Sequence, residues 1–370
     1  MRICYLGDAS SPHVIKFVEY FAKAGNEIYV ISLRNAEYKN ATVYQIPRRT
    51  PFEDINYLLN FFWLRRIIKS INPDILHAHY LTSFGLLGAL VRYHPFIVAA
   101  WGTDLLITPK RGFIYKWLLK FTLKKADLIF ADASFMKKEL LRYGAVTEKI
   151  LICPFGVNME IFNDKDREFK ERGEYGILSM RTLIKNSNID VIIKSMKILK
   201  DNGFNVVLNI TNRGPEEENL KRMTQELRLN DYINFLGFLE RESIYKYFKS
   251  SDVYVSITSS DGASVTLLEA MASGIFPIVS DIPANREWIK DGANGFLVPL
   301  NDPSILADRI ILALREQELR SKAAKINRAL IVKKGELRKT MEFVWNQYKL
   351  LANFNKARRQ AFMASQQENE

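Results

Sequence analysis

The chain has 370 residues, of which 48% are hydrophobic, 25% are charged and two are cysteines. This length favours two domains over one, and two cysteines exclude both a disulfide framework and a cysteine-rich metal cluster. The formal net charge of +12, concentrated before residue 159 and after residue 303, leaves nucleic acid, an anionic membrane and an anionic small molecule open as partners. The sequence shows neither the apolar segment of a signal peptide nor an uncharged run of the roughly 20 residues that span a bilayer, so we expect a cytoplasmic protein.

Strand and helix patterns alternate through the first half of the chain. Apolar runs predict strands over 2–7, 27–33, 74–80, 95–101, 127–133 and 149–156, and amphipathic runs predict helices over 13–25, 55–71, 81–93, 112–126 and 134–144. Continuous apolar runs are typical of strands that are buried on both faces of a parallel sheet. The alternation therefore predicts a doubly wound α/β domain.

The second half repeats the same alternation after a polar, charged segment over 158–176 that has the composition of a linker. Predicted strands lie over 176–180, 204–211, 233–238, 252–258, 275–280 and 295–300, and helices lie between them. Asp302 and Pro303 predict the start of a further helix, with aspartate as the N-cap and proline in the first turn. We predict a first domain over 1–160, a second over 161–335 and a helical tail over 336–370.

One stretch, SSDGASVTLLEAMASG at residues 259–274, joins two predicted strands through a turn and a helix. The start of a helix presents unpaired amide groups and a positive dipole end, which together bind phosphate. Gly262, Ala263 and Ser264 are small enough to let a ligand approach the backbone, and Ser264 suits the N-cap. Asp261 lies just before them, at the carboxyl end of a strand, where open α/β sheets bind ligands.

The same helix carries a second acid, Glu269, among leucines, alanines and methionines. Glu269 falls one turn after Thr266 and one turn before Ser273, so these three side chains form a narrow polar stripe. A carboxylate accepts two hydrogen bonds side by side and fits a vicinal diol such as that of a ribose. The alternative from composition alone is a solvated helix glutamate and a turn aspartate.

The run DGASVTLLEAMASGIFPIVSDIPANREWIKDGANGFLV resembles the signature of the retaining GT-B glycosyltransferases of family 4, in which an acid and a glutamate are separated by seven residues. The first half adds GDASSPH, DILHAHYLTSFG, WGTD and CPFGVN, which are similar to the family's acceptor-domain motifs, and the second half adds SMRTLIKNSNID, RGPEEENL and INFLGFL. The resemblance implies an α/β GT-B fold. In that fold two Rossmann-like doubly wound domains face a cleft, and a C-terminal helix crosses back to the first domain.

The resemblance also implies a nucleotide-sugar donor, a UDP- or GDP-sugar, with no permanently bound cofactor and no metal. Asp261 would contact the donor sugar, Glu269 the ribose, and Arg181 with Lys185 the phosphates. The full set of donor-binding residues implied is Arg181, Lys185, Asp261, Gly262, Ala263, Ser264, Val265, Thr266 and Glu269. Two of the expected donor-binding positions depart from the family pattern. Asp261 replaces the commoner glutamate, and Asn186 stands where the phosphate-binding lysine is usual, which leaves Lys185 either as its substitute or as a solvated loop lysine.

In the first domain many relatives carry a histidine where this chain has Trp101, and tryptophan cannot accept a proton. The role of that histidine would then fall to Asp104, whose alternative role is that of a helix N-cap. His13, His79, Trp101 and Asp104 are the expected acceptor-binding residues, and Asp104, Arg181 and Asp261 the expected catalytic ones. His77, two residues before His79, lies deeper on the same face of its strand and is expected in the core.

The resemblance implies transfer of a sugar to a glycan, a lipid-linked or another hydroxyl acceptor, with retained configuration, in the synthesis of a cell-surface polysaccharide or glycolipid. The alternative within the family is a catalytically inactive partner subunit that binds a nucleotide sugar. A dinucleotide-dependent oxidoreductase lacks its glycine fingerprint after the first strand, and no nucleic-acid recognition motif is present. A sugar epimerase of the same fold carries other motifs.

The stretch PKRGFIYKWLLKFTLKKAD, which contains the predicted helix over 112–126, has six basic residues, no acid before Asp127, and aromatic residues at helical spacing. Such a pattern suits a helix at the surface of an anionic membrane, which would place the protein peripherally at the inner face of that membrane. The alternative is that the aromatic side chains pack on the sheet and the lysines are solvated.

Overall fold

The computed structural model describes residues 1–51, 56, 59–165, 167 and 173–367, without the side chains of 241, 242, 359 and 362–367. The chain forms two compact units. The first comprises Met1–Phe155 together with the chain from Thr340 onward, and the second comprises Gly156–Lys339. Among the described residues no helix is both long and apolar enough to cross a bilayer.

The first unit is built on a parallel sheet. Its strands are β1 (Arg2–Leu6), β2 (Glu27–Ser32), β3 (Thr42–Gln45), β4 (Ile75–His79), β5 (Phe96–Ala100), β6 (Leu128–Ala131) and β7 (Ile150–Ile152). Its helices before the second unit are α1 (Pro12–Lys23), α2 (Phe61–Ile71), α3 (Phe84–Val91), α4 (Thr103–Leu106), α5 (Phe113–Lys125) and α6 (Ser134–Arg142), and two 3₁₀ turns lie at Thr108–Arg111 and Thr147–Lys149. The described strands run in the order β3-β2-β1-β4-β5-β6-β7.

Burial explains why this sheet is recognisable from its apolar runs. Every residue of β4, β5 and β6 is buried, as expected for inner strands covered on both faces. The edge strand β3 was not predicted, because its four residues, TVYQ, are exposed or half-buried and carry little apolar signal. The predicted helix over 55–71 is observed as α2, and part of its first turns lies outside the described residues.

The second unit repeats the plan with the described strands β8 (Tyr175–Ser179), β9 (Val206–Thr211), β10 (Ile233–Gly237), β11 (Val253–Ser256), β12 (Phe276–Ser280) and β13 (Phe296–Val298). They pair in parallel in the order β10-β9-β8-β11-β12-β13. The helices are α7 (Ile189–Asp201), α8 (Glu217–Glu226), α9 (Arg241–Ser250), α10 (Val265–Ala272), α11 (Pro283–Arg286), α12 (Pro303–Arg315) and α13 (Gln317–Lys334), and a 3₁₀ turn lies at Lys185–Ser187.

The described part of the predicted linker is fixed to the second unit rather than free. Asp164 forms an ion pair of 2.6 Å with Arg328 of α13. The guanidinium of Arg167 donates to the carbonyl oxygens of Phe248 and Ser273 at 3.1 and 3.3 Å. The charges that give this segment the composition of a linker thus hold its described part to the surface of the unit.

The last helix, α14 (Leu337–Gln367), returns the chain to the first unit. Its inner face is buried through Met341, Val344, Tyr348 and Ala352. The hydroxyl of Tyr348 lies 2.6 Å from Nδ1 of His77 on β4. The predicted fold is confirmed: each unit is a doubly wound α/β structure, and a C-terminal helix belongs to the first.

Candidate functional site

In the second unit the strand order reverses between β8 and β11. Loops that leave two such neighbouring strands diverge to opposite sides, and the crevice between them is where open α/β sheets bind ligands. Arg181 follows the carboxyl end of β8 by two residues, and Asp261 lies in the loop that follows β11. The topology therefore brings together two residues that are 80 positions apart in the sequence.

Arg181 and Asp261 form an ion pair in which Nη2 lies 2.9 Å from Oδ2, and each side chain is 18% exposed. Nη1 of Arg181 also donates to Oγ of Ser264 at 3.1 Å. Burial by itself lowers the pKa of Arg181, but the attraction of Asp261 and of Tyr254 outweighs it and the pKa ends above its ordinary value. The guanidinium is thus charged and held in a fixed position.

The loop after β11 ends at the start of α10 in the predicted way. Ser264 is the N-cap, and its hydroxyl accepts from the amide of Leu267 at 3.3 Å. Gly262 and Ala263 are buried, and the amide of Gly262 donates to Oδ1 of Asp261 at 2.9 Å. The first amides of α10 have no partner within the helix, so this end offers donors and a positive dipole beside the guanidinium.

Tyr254 on β11 holds the start of α10 through Thr266 and was not predicted from the sequence. It is 0% exposed, and its hydroxyl lies 2.7 Å from Oγ1 of Thr266. Oγ1 of Thr266 in turn lies 3.3 Å from Oγ of Ser264. Burial raises the pKa of Tyr254, although the charge of Arg181 acts in the opposite direction. The only sequence signal was a tyrosine between the two valines of this strand.

Replacing Tyr254 by phenylalanine should weaken binding of the nucleotide sugar that the sequence resemblance implies by about tenfold. The change removes one hydrogen-bond partner of Thr266, a loss of about 0.5–1.5 kcal/mol, and a hydrogen bond that helps to hold Arg181. Isothermal titration measures the affinity. The matched control is Tyr245→Phe on α9, where the aromatic ring lies under Lys249. Equal affinities of Tyr254→Phe and wild type would contradict a positioning role.

Glu269 lies on the side of α10 that is turned away from the core. It is half-buried, as are Val265 and Thr266, whereas Leu267, Leu268, Ala270, Met271 and Ala272 are buried. The polar stripe predicted from spacing is therefore present at Thr266 and Glu269, and its third member, Ser273, is 1% exposed. Glu269 stands where a ligand bound over the start of the helix could reach it.

Lys185 and Asn186 take different roles in the loop that follows Arg181. Lys185 is exposed at the start of the 3₁₀ turn. Asn186 instead donates from Nδ2 to the carbonyl oxygen of Ser260 at 3.0 Å, and its own carbonyl oxygen accepts from the amide of Ser259 at 2.9 Å. The residue at the usual lysine position thus holds the loop that carries Asp261.

In the first unit the strand order reverses between β1 and β4, and predicted acceptor residues follow the carboxyl ends of nearby strands. The ring of His13 lies 4.2 Å from the Phe155 ring and 4.9 Å from the Trp101 ring, measured between centroids. The rings of His79 and Trp101 are 5.6 Å apart. Three of the four predicted residues therefore form one aromatic cluster at this edge of the sheet.

Several polar atoms of this cluster have no hydrogen-bond partner among the described residues. They are Nδ1 of His13, both ring nitrogens of His79 and Nε1 of Trp101. Burial lowers the pKa of His13 and of His79 to about 3, and neighbouring charges, Lys16 and His13 respectively, act in the same direction. The imidazoles are neutral at physiological pH, and each keeps one N–H donor and one acceptor for a ligand.

These shifts predict that the first unit loses stability on acidification. His13, His77 and His79 have folded pKa values below the ordinary 6.5, so between pH 6.5 and about 3 the unfolded chain binds protons that the folded chain does not. The free energy of unfolding therefore falls as the pH falls through this window. Burial raises the pKa of Asp104 from 3.8 to about 6, which has the opposite effect on stability. The three imidazoles outnumber this one carboxyl, so the net effect of acidification is a loss of stability.

Thermal unfolding at about pH 7 and about pH 5 tests this prediction. The melting temperature of the wild type should fall at the lower pH, and that of His79→Gln should fall less. A pH dependence that is the same in both proteins would contradict it.

Asp104 is 0% exposed, and its carboxylate serves the backbone. It accepts from the amides of Leu81 at 2.7 Å, Gly102 at 3.0 Å and Trp101 at 3.1 Å. Asp104 is not the N-cap of α4, which is Gly102. Its carboxylate instead holds the loops after β4 and β5 together, because these bonds engage both oxygens. The spacing WGTD predicted the location of Asp104 but not the direction of its side chain.

Asn212 follows strand β9 in the second unit. Asn212, where the family usually has glycine, has a φ of +70°, a left-handed conformation that asparagine tolerates better than most residues. Its amide donates to the carbonyl oxygen of Gly237 at 2.6 Å.

Across the described part of the chain no group of three or more His, Cys, Asp or Glu side chains is placed to hold a metal ion.

The family models agree with this architecture. Residues 160–330 match the model of glycosyl transferases group 1, and residues 2–133 match that of glycosyl transferase 4-like proteins. The fold and the two matches define a glycosyltransferase of the GT-B class. The chain belongs to the family-4 type of these enzymes.

The chain is similar to known glycosyltransferases and to solved structures. A glycosyltransferase of Methanocaldococcus jannaschii, described as uncharacterized, is 25% identical over 78% of this chain and 79% of its own length. The amylovoran biosynthesis glycosyltransferase AmsK of Erwinia amylovora is 30% identical over 52% of this chain and 48% of its own. The structure of HepE from Anabaena in complex with UDP-glucose superposes with a TM-score of 0.79 at 14% identity, over 95% of this chain and 100% of HepE.

Proposed function

We propose that this glycosyltransferase moves a hexosyl group from a UDP- or GDP-sugar to a hydroxyl of a glycan or lipid-linked acceptor, with retained anomeric configuration. The observation that carries the proposal is the guanidinium of Arg181, held by Asp261 and Ser264 beside the N-terminal end of α10. A cation and a helix N-terminus together suit a diphosphate. The name of AmsK and the UDP-glucose bound to HepE support a polysaccharide product and a uridine nucleotide.

Different donor-binding residues contact different parts of the nucleotide sugar. Arg181 and the first amides of α10 bind the diphosphate, with Lys185 as an exposed second cation. Glu269 accepts from the two ribose hydroxyls, and Asp261 accepts from a hydroxyl of the sugar. Gly262 and Ala263 carry no side chain large enough to block the approach.

The reaction needs charge stabilisation rather than a protein nucleophile. The bond between the anomeric carbon and the diphosphate oxygen breaks with its electron pair on that oxygen, and the acceptor oxygen bonds to the same face of the carbon. The acceptor proton passes to the departing diphosphate. Arg181 and the α10 amides stabilise the charge that grows on the diphosphate, and no metal is needed for that role.

Acceptor binding is assigned to the first unit. The unpartnered nitrogens of His13, His79 and Trp101 offer hydrogen bonds to acceptor hydroxyls, and the aromatic rings offer apolar faces to a sugar. Asp104 acts through the backbone as a positioning residue, since both of its oxygens bind amides.

The second candidate is an inactive subunit that binds a nucleotide sugar. The observation that favours it is Trp101, which cannot accept a proton where relatives carry histidine. Incubation with labelled UDP- and GDP-sugars and a mixture of lipid-linked and free glycan acceptors separates the two. Labelled glycan product supports the enzyme, whereas donor binding without product or hydrolysis supports the subunit.

A cytoplasmic location is part of the proposal. It is supported by two free, buried cysteines, which suit a reducing compartment, and by the cytoplasmic supply of nucleotide sugars.

A further inference from the structure

Helix α5 of the first unit has apolar side chains on two opposite faces. Leu119, Thr122 and Leu123 are buried. On the other side Phe113 is 80% exposed, Trp117 63% and Ile114 56%. Large apolar side chains that cluster on the solvent side of a helix indicate an interaction surface, because they contribute nothing to the packing of the core.

The inner face of α5 is fixed by its neighbour α3. A Cβ atom at Gly85 of α3 would lie 3.2 Å from Cγ2 of Thr122, so the two helices approach closely there. At 3.6 residues per turn Thr122 points about 180° away from Phe113. Phe113 and Trp117 are one turn apart on the outer side, and the Trp117 ring stacks on that of Phe121 with centroids 5.9 Å apart. The structure thus contradicts the alternative that Phe113 and Trp117 pack on the sheet.

Basic side chains border this aromatic stripe. Lys116, Lys120 and Lys124 form an exposed row beside it, and Lys110 and Arg111 are exposed just before the helix. No acidic residue occurs between Asp104 and Asp127. The outer face of α5 is therefore apolar along its centre and cationic along its margin.

Helix α2 extends the same surface. The connections from β3 through α2 to β4, from β4 through α3 to β5 and from β5 through α5 to β6 all advance in one direction along the sheet. Right-handed connections then place these helices on one face. Helix α3, whose residues are all buried except the half-buried Leu90, lies between the other two. On α2 Phe62 is 81% exposed, and Arg65, Arg66 and Lys69 are exposed after it.

We propose that this surface, formed by the outer sides of α2 and α5, docks on a bilayer that contains anionic phospholipids. Phe62, Phe113 and Trp117 enter the boundary between headgroups and acyl chains, and the lysines and arginines contact lipid phosphates. A protein partner fits less well, because lysine is depleted in protein interfaces and α5 with the preceding turn has five lysines to one arginine. The docking does not depend on the proposed transfer reaction and is measured separately from it.

Sedimentation of the full chain with vesicles tests the proposal. The probes are vesicles of phosphatidylcholine alone and of phosphatidylcholine mixed with phosphatidylglycerol. The wild type should bind the mixed vesicles at low salt, bind the neutral ones much more weakly, and be released as salt rises. The Phe113→Ser/Trp117→Ser and Lys116→Gln/Lys120→Gln variants should each lose about tenfold or more in partitioning.

A matched control lies elsewhere in the same unit. Leu350 and Phe354 of α14 are 64% and 69% exposed, and α14 packs against α1 on the other face of the sheet. Leu350→Ser/Phe354→Ser should bind vesicles like the wild type, and thermal unfolding should show all variants to be folded. Absence of wild-type binding to the mixed vesicles would overturn the proposal, as would equal losses in the control. Self-association that the α5 variants abolish, without vesicle binding, would instead identify a protein interface.

Discussion

Arg181→Ala should lower the rate of sugar transfer by a factor of about 10² to 10³. The loss has two causes. The guanidinium no longer stabilises the charge on the departing diphosphate, and Asp261, which lies 2.9 Å from it in the structure, becomes an uncompensated negative charge close to the phosphates. The readout is the transfer of labelled sugar at saturating donor and acceptor.

Arg286→Ala is the matched control. Arg286 lies in the same unit and pairs with Asp281 through two hydrogen bonds of 2.5 and 2.8 Å, but its side chain is 59% exposed. The same loss of charge there should leave transfer within about twofold, since exposed ion pairs contribute little. Arg181→Ala/Asp261→Asn should bind a nucleoside diphosphate better than Arg181→Ala alone, because the repulsion is removed. Transfer by Arg181→Ala within threefold of wild type would contradict the assignment.

Glu269→Ala should abolish the thermal stabilisation that UDP- and GDP-sugars give to the wild type. A ligand at 100 times its dissociation constant stabilises by about 2.7 kcal/mol. Loss of two charge-assisted hydrogen bonds to the ribose, at about 1.5–3 kcal/mol each, is enough to remove that effect. The measurement is the shift in melting temperature with each nucleotide sugar and with UDP and GDP alone.

Two variants give this experiment its controls. Glu226→Ala removes an exposed glutamate from the end of α8 and should keep the full shift. Asp261→Asn should keep the shift with the nucleoside diphosphate and lose the additional shift that the sugar gives, because Asp261 is assigned to the sugar and its other partner, Arg181, keeps its charge. A full shift in Glu269→Ala would contradict the ribose assignment.

The parts of the fold that follow from local chemistry were predicted well. The N-cap aspartate and the following proline placed the start of α12, where Oδ1 of Asp302 accepts from the amide of Ile305 at 2.9 Å. Ser264 was placed in the same way at the start of α10. The contacts of the segment over 158–176 could not be predicted, because composition shows charge but not the partner of that charge: Asp164 pairs with Arg328 only in the folded unit.

The sequence predicted those residues of the candidate site that lie close together along the chain. Asp261, Ser264 and Glu269 lie within one stretch, so their spacing already places them around the start of one helix. Tyr254 and Asn186 could not be found in this way. Their importance comes from contacts between different loops and strands, with Thr266 in one case and with Ser259 and Ser260 in the other.

Asp104 shows the limit of the same reasoning in the first unit. Its position after β5 suits either a catalytic or a structural carboxylate, and only the direction of the side chain distinguishes the two roles. The three amides around it decide in favour of positioning. The neighbouring imidazoles of His13 and His79, with their unpartnered nitrogens, are left as the side chains available to an acceptor.

The central claim is that the second unit binds the diphosphate of a nucleotide sugar between the guanidinium of Arg181 and the first amides of α10. A crystal structure of the protein with UDP or GDP tests it most directly. The account predicts phosphate oxygens within hydrogen-bond distance of Arg181 and of the amides of Val265 and Thr266, with the ribose hydroxyls on Glu269. A nucleotide bound elsewhere, with the Arg181–Asp261 pair untouched, would contradict it.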